Sequence, residues 1–255
     1  MTPGSPRPER PHALVTGASR GIGAAIATRL AADGFALTLL GRHAAPLESL
    51  AQALPSDTRV AICDVTDSGA VEQTVQTLPS IDVLVNNAGQ GSSAPVGRTS
   101  DALWQEMLAV NLSGPFYCTR AVLASMRTAG WGRIVTIAST AGQRGYAYAA
   151  AYAAAKHGVI GFTRSLALEV AATGITVNAV CPGFTDTDLL DRSVAHIVAQ
   201  TGRSEADARA QLAAMNPQRR FITPAEVAAT VSWLCSEAAG SITGQSISVS
   251  GGEVM

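Results

Sequence analysis

Charge is scarce in this chain. Only 15% of its 255 residues are Asp, Glu, Lys or Arg, and the formal net charge is −1. With a sequence pI of about 6.4 it offers no basic field for nucleic acid or anionic lipid, so neither partner is expected. No apolar run reaches the roughly 18 residues that a membrane span needs. Cysteine is nearly as sparse. Cys63, Cys118, Cys181 and Cys235 lie far apart and form no Cys-x-x-Cys, so they read as buried free thiols in a reducing compartment, the cytoplasm. The four histidines, His12, His43, His157 and His196, are scattered as well, and no metal site is expected. Lysine is the rarest ionisable group: 17 arginines stand against a single lysine, Lys156.

What the chain does have is apolar residues, 47% of the total, enough to bury a large sheet. Residues 1–11 carry Pro3, Pro6, Pro8 and Pro11 with no apolar stretch, and read as a flexible tail ahead of one domain over 12–255. Strand-length apolar runs fall at 12–16, 35–40, 59–62, 81–85, 133–137, 176–180 and 246–249. Helical patterns fill the intervals at 22–33, 44–54, 68–78, 101–126, 150–171 and 224–236. Strands apolar on both faces, separated by helices, imply an α/β fold. Its form is a single-domain, Rossmann-type, doubly wound parallel sheet of about seven strands with helices on both faces. One stretch breaks the rhythm: 184–221 is polar, with a helical patch at 204–215, and is expected to be a substrate lid.

After the first strand comes Thr16-Gly17-Ala18-Ser19-Arg20-Gly21-Ile22-Gly23, running straight into a helix. Glycines there permit a tight turn and close approach to a pyrophosphate, and the helix N-terminus supplies N–H groups for the anion. The second strand ends in Leu39-Leu40-Gly41-Arg42, where NAD-binding versions of such folds place an acid for the ribose hydroxyls. Arg42 and Arg20 suit a 2′-phosphate instead, and a bare Gly41 leaves room for it. NADP(H) is therefore favoured over NAD(H).

The lone lysine stands four residues after a tyrosine in Tyr152-Ala-Ala-Ala-Lys156. Positions i and i+4 share a helix face, so the ammonium can lie beside the phenol and favour the phenolate, giving a proton donor or acceptor near neutral pH. Upstream, Ser139 follows a strand whose C-terminal edge faces the ligand crevice, and its hydroxyl could bond a substrate oxygen. Asn111 sits in a helical pattern with Pro115 four residues on. The proline has no N–H for the Asn111 carbonyl, which could then hold a water on a proton path from Lys156.

Together these residues resemble the short-chain dehydrogenase/reductase family over about residues 13–252. Asn111, Ser139, Tyr152 and Lys156 match its catalytic tetrad, with Ser139 thirteen residues before Tyr152. The resemblance implies cofactor contacts from Gly17, Ser19, Arg20, Gly21, Ile22, Gly23 and Arg42, and from Asp64 and Val65 beside the adenine. It adds Asn87, Ala88 and Gly89 after strand four, Pro182, Gly183, Thr185 and Thr187 over the nicotinamide, and Tyr152 and Lys156 themselves. It implies hydride delivery to a carbonyl carbon, Ser139 positioning the oxygen, Tyr152 protonating it, Lys156 lowering the tyrosine pKa and Asn111 maintaining a water relay. It also implies a homotetramer.

Within the family, Gly132-Arg133-Ile134-Val135 and Cys181-Pro182-Gly183-Phe184 look most like 3-oxoacyl-thioester ketoreductases of fatty-acid and polyketide synthesis. The expected reaction is NADPH-dependent reduction of a ketone, with the substrate carried on CoA or an acyl carrier protein. Arg144, Arg219 and Arg220 could face such a carrier or a CoA phosphate. Gln143, Tyr148 and Phe184 are candidate substrate contacts, with Tyr146 as a further wall. The alternatives are an NAD(P)-dependent alcohol or 3-hydroxyacyl-CoA dehydrogenase working oxidatively, and a nucleotide sensor without turnover. An intact four-residue set argues against the sensor.

Overall fold

The computed structural model describes residues 6–55 and 57–255. Seven strands form one sheet: β1 (His12–Thr16), β2 (Ala36–Gly41), β3 (Thr58–Ile62), β4 (Val83–Asn86), β5 (Gly132–Ile137), β6 (Ile175–Pro182) and β7 (Ser246–Val249). Every pairing is parallel and the spatial order is β3-β2-β1-β4-β5-β6-β7. The order reverses between β1 and β4, which opens a crevice at the carboxyl ends of those two strands.

Parallel strands need helical crossovers, and the helices bury a separate core on each face of the sheet. On one face α1 (Gly21–Ala32) and α9 (Pro224–Leu234) pack Ile26, Leu30, Val227, Val231 and Leu234 onto Val15, Leu39, Val85 and Val135, with Leu47 of α2 (Ala44–Ala53) alongside. On the other face α3 (Ser68–Gln76), α5 (Gly114–Ala129) and α6 (Ala150–Val170) bring Val71, Val122, Met126, Leu166 and Val170 onto Leu14, Leu84, Ile134 and Val177. Successive strand residues alternate between these two cores, as the period-2 geometry of a strand requires. Each fully buried Leu, Ile or Val contributes about 1.5–3 kcal/mol, so two such cores hold the sheet firmly enough to carry a precise edge.

The helix expected over 101–126 is interrupted. α4 (Asp101–Leu108) passes into a π turn, Ala109–Ser113, before α5 begins at Gly114 with Pro115 in its first turn. Proline provides no N–H at that point, so the ladder widens around Asn111, which is buried. The stretch 184–221 is more regular than its composition suggests. It holds α7 (Asp188–Thr201) and α8 (Glu205–Ala213), which bury Leu190, Val194, Ala208 and Leu212 against each other and against Phe184 and Phe221.

Of the N-terminal segment, residues 1–5 lie outside the described residues. Over 6–11, the Arg7 guanidinium stacks 4.8 Å from the Phe35 ring centroid, and the Pro11 carbonyl accepts the Ala36 N–H at 3.1 Å. All four cysteines are free and buried. Among the described residues no helix is long and apolar enough to cross a membrane, and no cluster of His, Cys, Asp or Glu is arranged to hold a metal ion.

Candidate active site

The crevice is knitted together at its floor by Thr16. Its hydroxyl accepts the Asn87 and Ala88 N–H groups, both at 3.0 Å, so the ends of β1 and β4 are tied where the sheet order reverses. Asn87 reaches back and donates from Nδ2 to the Thr16 and Gly17 carbonyls, each at 3.0 Å. That closeness explains the glycines. Gly17 and Gly21 have φ of +63° and +55°, and a Cβ on Gly23 would lie 2.2 Å from the Gly17 carbonyl oxygen. Arg20 occupies the N-cap of α1 without a side-chain cap, and the first turn holds no acid. The leading N–H groups of α1 are thus left without a side-chain acceptor, and that donor set fits a pyrophosphate. Gly21 packs against Thr187, the N-cap of α7, with its Cβ position 3.2 Å from Cγ2, and Arg20 pairs with Asp188 at the start of that helix, so the glycine loop lies beneath the entry to α7.

Arg42 and Arg20 are both exposed at this end. Arg42 Nη1 lies 3.9 Å from Asp64 Oδ2, and Arg20 Nη1 lies 3.4 Å from Asp188 Oδ2. Exposed pairs of this kind hold each other by about 0–1 kcal/mol, so either guanidinium is available to a phosphate dianion. The Asp64 carboxyl is held below its usual range, chiefly by the Thr66 backbone N–H at 2.9 Å, while Val65 is buried beside it. Gly41 ends β2 with α2 beside it. A Cβ there would sit 3.4 Å from Leu47 Cδ1, an ordinary van der Waals contact with α2.

At the reactive end four residues from three elements converge. Ser139 follows β5, and its Oγ accepts the Ala141 N–H at 3.1 Å at the start of the short turn Thr140–Gly142. Tyr152 lies in the first turn of α6, its hydroxyl paired with the Ser139 side chain. Lys156, one turn on, is 5% exposed; its Nζ donates to the Ile137 carbonyl at 2.8 Å and stands 5.6 Å from the Tyr152 ring centroid. Asn111 anchors the facing loop: Nδ2 donates to the Gln90 and Met107 carbonyls at 2.9 and 3.1 Å, and Oδ1 accepts the Gln90 N–H at 3.3 Å. Gly89 joins these groups to the cofactor loop, since a Cβ there would fall 2.9 Å from Asn111 Oδ1 and 3.6 Å from Lys156 Nζ.

Burial dominates the electrostatics of the pair. Burial pushes the Tyr152 pKa up, and the bond to Ser139 only partly opposes it. Burial also pulls the Lys156 pKa down from 10.5 to about 8. The ammonium bonds a backbone carbonyl and stands over the ring, and desolvation is the largest influence on both groups. The resting site therefore holds a protonated phenol beside an ammonium.

The remaining candidates lie around this centre. Pro182 ends β6, Gly183 donates its N–H to the Val249 carbonyl at 3.0 Å, and Thr185 bridges to Ile222, which fixes the segment running up to Thr187. Phe184 meets Tyr146 edge to face at 6.3 Å, and Tyr148 is largely exposed with φ of +67°. Both ends of the Gln143 amide are engaged with β7, donating to the Ser246 carbonyl at 3.1 Å and accepting from Ser248 Oγ at 2.9 Å. Arg220 forms a two-pronged pair with Glu226 at the start of α9, while Arg144 donates to the Glu253 carbonyl at 3.4 Å. Two residues at the site were not singled out from sequence. Thr16 opens the glycine loop, and Leu189 of α7 approaches the same loop as Tyr152: a Cβ on Gly91 would be 3.6 Å from Leu189 Cδ1 and 3.8 Å from Tyr152 Cε2.

Residues 11–198 match the model of the family described as short chain dehydrogenase. The chain belongs to that family. It is 42% identical over 249 residues, 94% of this chain and 95% of the relative, to the protein named as the ketoacyl reductase of the monensin polyketide synthase from Streptomyces virginiae. It is 38% identical over 247 residues, 95% of this chain and 97% of the relative, to a 3-oxoacyl-acyl-carrier-protein reductase from Salmonella typhimurium. Among solved structures, a variant of the actinorhodin polyketide ketoreductase with NADPH superposes at a TM-score of 0.93 and 38% identity, covering 96% of this chain and 97% of that one. Levodione reductase follows at 0.89 and 32%, covering 95% and 97%. The family is one of oxidoreductases acting on C=O and CH–OH groups, and the expected fold and enzyme class hold for this chain.

Proposed function

We propose that this enzyme reduces the ketone of a 3-oxoacyl thioester with NADPH, the acyl chain being delivered by an acyl carrier protein. The observation that carries this reading is the convergence of Ser139, Tyr152, Lys156 and Asn111 beside an uncapped α1 N-terminus. Two sets of relatives named as ketoacyl and 3-oxoacyl reductases, and a neighbour solved with NADPH, support the choice of substrate and cofactor. The cytoplasm as location and a homotetramer as assembly belong to the same reading. The segment 184–221 acts as the lid, with α7 roofing the site next to Tyr152.

Bound NADPH supplies the hydride. Gly17, Ser19, Gly21, Ile22 and Gly23 admit the pyrophosphate to the first turn of α1, with Arg20 and Arg42 taking the 2′-phosphate. Asp64 and Val65 border the adenine, Asn87, Ala88 and Gly89 shape the middle of the groove, and Pro182, Gly183, Thr185 and Thr187 line its nicotinamide end. Ser139 orients the substrate oxygen and stabilises the negative charge that grows on it. Tyr152, protonated at rest, gives its proton to that oxygen, and Lys156 offsets the charge left on the phenolate. Asn111 holds the loop at Gln90 so that Lys156 keeps an outlet for protons. The alternative reading, an oxidative alcohol dehydrogenase, would need the same residues but a phenolate at rest.

The test is NADPH against NADH consumption with acetoacetyl-CoA, a longer 3-oxoacyl thioester, a bicyclic ketone and an aromatic ketone. Turnover of a thioester with NADPH is expected; turnover with NADH alone, or of simple ketones alone, favours the alternative. Tyr152→Phe is expected to lower kcat by about 10²–10⁴-fold while leaving NADPH binding nearly intact. A variant keeping more than about a tenth of the activity would contradict the role given to Tyr152.

A further inference from the structure

Glu253 lies 107 residues beyond Tyr146 in the chain, yet the residue is 9% exposed and its carboxylate is bonded to the Tyr146 hydroxyl. That hydroxyl also shares a hydrogen bond with Thr140 Oγ1 at 2.8 Å. A phenol has one proton and a carboxylate accepts only, so the proton goes to Glu253 and the threonine completes the chain. Thr140 follows Ser139 directly, in the turn that holds the serine. The other carboxylate oxygen, Oε2, is buried with no partner, and it lies 2.8 Å from where a Cβ on Gly183 would be. A buried carboxylate oxygen without a donor is costly, so its place in the core calls for a reason.

Around this carboxylate three parts of the site meet. Ser250 and Glu253 back onto Gly183, at the nicotinamide end of β6. Gly251, with φ of +63°, fits against Asn216: a Cβ there would fall 2.1 Å from Oδ1. Asn216 is itself buried and holds the base of the lid by bonds to the Arg220 carbonyl at 2.8 Å and the Gln218 N–H at 2.8 Å. Tyr146 carries Phe184 edge-on against its ring, and Arg144 stacks over it at 4.9 Å while bonding the Glu253 carbonyl. Burial and the adjoining carboxylate both hold the Tyr146 phenol protonated, so it remains the donor in this chain of bonds.

We propose that Glu253 is a positioning residue for ketone reduction: through Tyr146 and Thr140 it fixes the turn that aims Ser139, and with Gly251 it keys that turn to the base of the lid. The inference rests on the reductase reading, because its effect is on the placement of the substrate oxygen. A one-bond loosening there is felt in kcat and in KM for the carbonyl substrate, and much less in the distant phosphate end.

The experiment compares Glu253→Ala, Glu253→Gln, Tyr146→Phe and the Tyr146→Phe/Glu253→Ala pair by kcat, KM for the thioester, NADPH Kd from fluorescence, and Tm. Glu253→Ala and Tyr146→Phe are expected to lower kcat/KM for the carbonyl by about 10–100-fold with NADPH Kd within about two-fold, the double variant being no worse than the single ones. Glu253→Gln, which keeps an acceptor for Tyr146, is expected to recover most of the activity. If Glu253→Ala does not fold, Tyr146→Phe removes one oxygen without opening a cavity and carries the test. Wild-type kcat/KM in Tyr146→Phe, additive losses in the pair, or a parallel loss of NADPH affinity would each overturn the proposal. A wild-type enzyme inactive on every ketone overturns the reductase reading instead.

Discussion

Lys156 should make the fold less stable than it could be. Its pKa falls from 10.5 to about 8 because burial disfavours the ammonium, and that drop corresponds to roughly 3 kcal/mol against holding the charge in the folded state. Lys156→Met keeps the length of the side chain and removes the charge. It also removes the donor to the Ile137 carbonyl at 2.8 Å, which costs about 1–2 kcal/mol in return. The variant is therefore expected to unfold at pH 7 with about 1–2 kcal/mol more free energy than the parent, while being inactive. The pH dependence fixes the cause. Below about pH 8 both folded and unfolded lysine hold the proton and the full cost is present. Between there and 10.5 the folded group is neutral while the unfolded one stays charged, so the parent gains stability and the difference fades. Urea unfolding of the cofactor-free proteins at matched concentration, at pH 7, 8.5 and 9.5, measures it. A variant less stable than the parent at pH 7, or a difference that does not change with pH, would refute the argument.

Arg42→Ala is expected to raise KM for NADPH far more than for NADH, measured by steady-state kinetics with each cofactor; equal effects would remove Arg42 from the 2′-phosphate. Gly23→Ala places a Cβ 2.2 Å from the Gly17 carbonyl oxygen and should abolish NADPH binding in a fluorescence titration, whereas retained binding would mean the loop can move aside. His12 is buried, its Nδ1 3.2 Å from the Ser80 carbonyl and its Nε2 2.9 Å from Thr38 Oγ1, with burial holding its pKa below 6.5. The unfolded chain then binds the extra proton, so stability should fall as pH drops below 6.5, and His12→Gln should flatten that acid limb in Tm against pH.

The fold was legible because its signals are local. Strand-length apolar runs and glycine-marked turns placed every strand, with ends displaced by a residue or two: 35–40 became Ala36–Gly41 and 176–180 became Ile175–Pro182. Pro115 announced an irregularity at Asn111, and the structure resolves it as a π turn. The helix Asp188–Thr201 was harder to see, since Asp188, Asp191 and Arg192 dilute its apolar face. Leu190, Val194 and Val198 do recur at helical spacing, but their packing partner is α8, itself mostly polar, and only the pair makes a core. At the site, positions close in sequence such as Tyr152 and Lys156 could be paired from helix geometry. Glu253 could not be paired with Tyr146, because nothing local joins a carboxylate near the end of the chain to a loop before α6.

One physical cause, removal from water, acts on both members of the reactive pair and moves them in opposite directions. It raises the phenol of Tyr152 and lowers the ammonium of Lys156, so across the neutral range the phenol keeps its proton and, below about pH 8, the ammonium behind it keeps its own. Reduction of a ketone begins from that state: the oxygen acquires negative charge, and a donor with a cation behind it is already in place. Oxidation of an alcohol begins from a phenolate, which burial disfavours until a further positive charge enters the site. The reductive rate should therefore be highest below about pH 8 and decline above it as Lys156 loses its proton, while any oxidative activity should rise with pH. The same tyrosine serves both directions, as acid for reduction and as base for oxidation, and its protonation gives the two opposite pH trends.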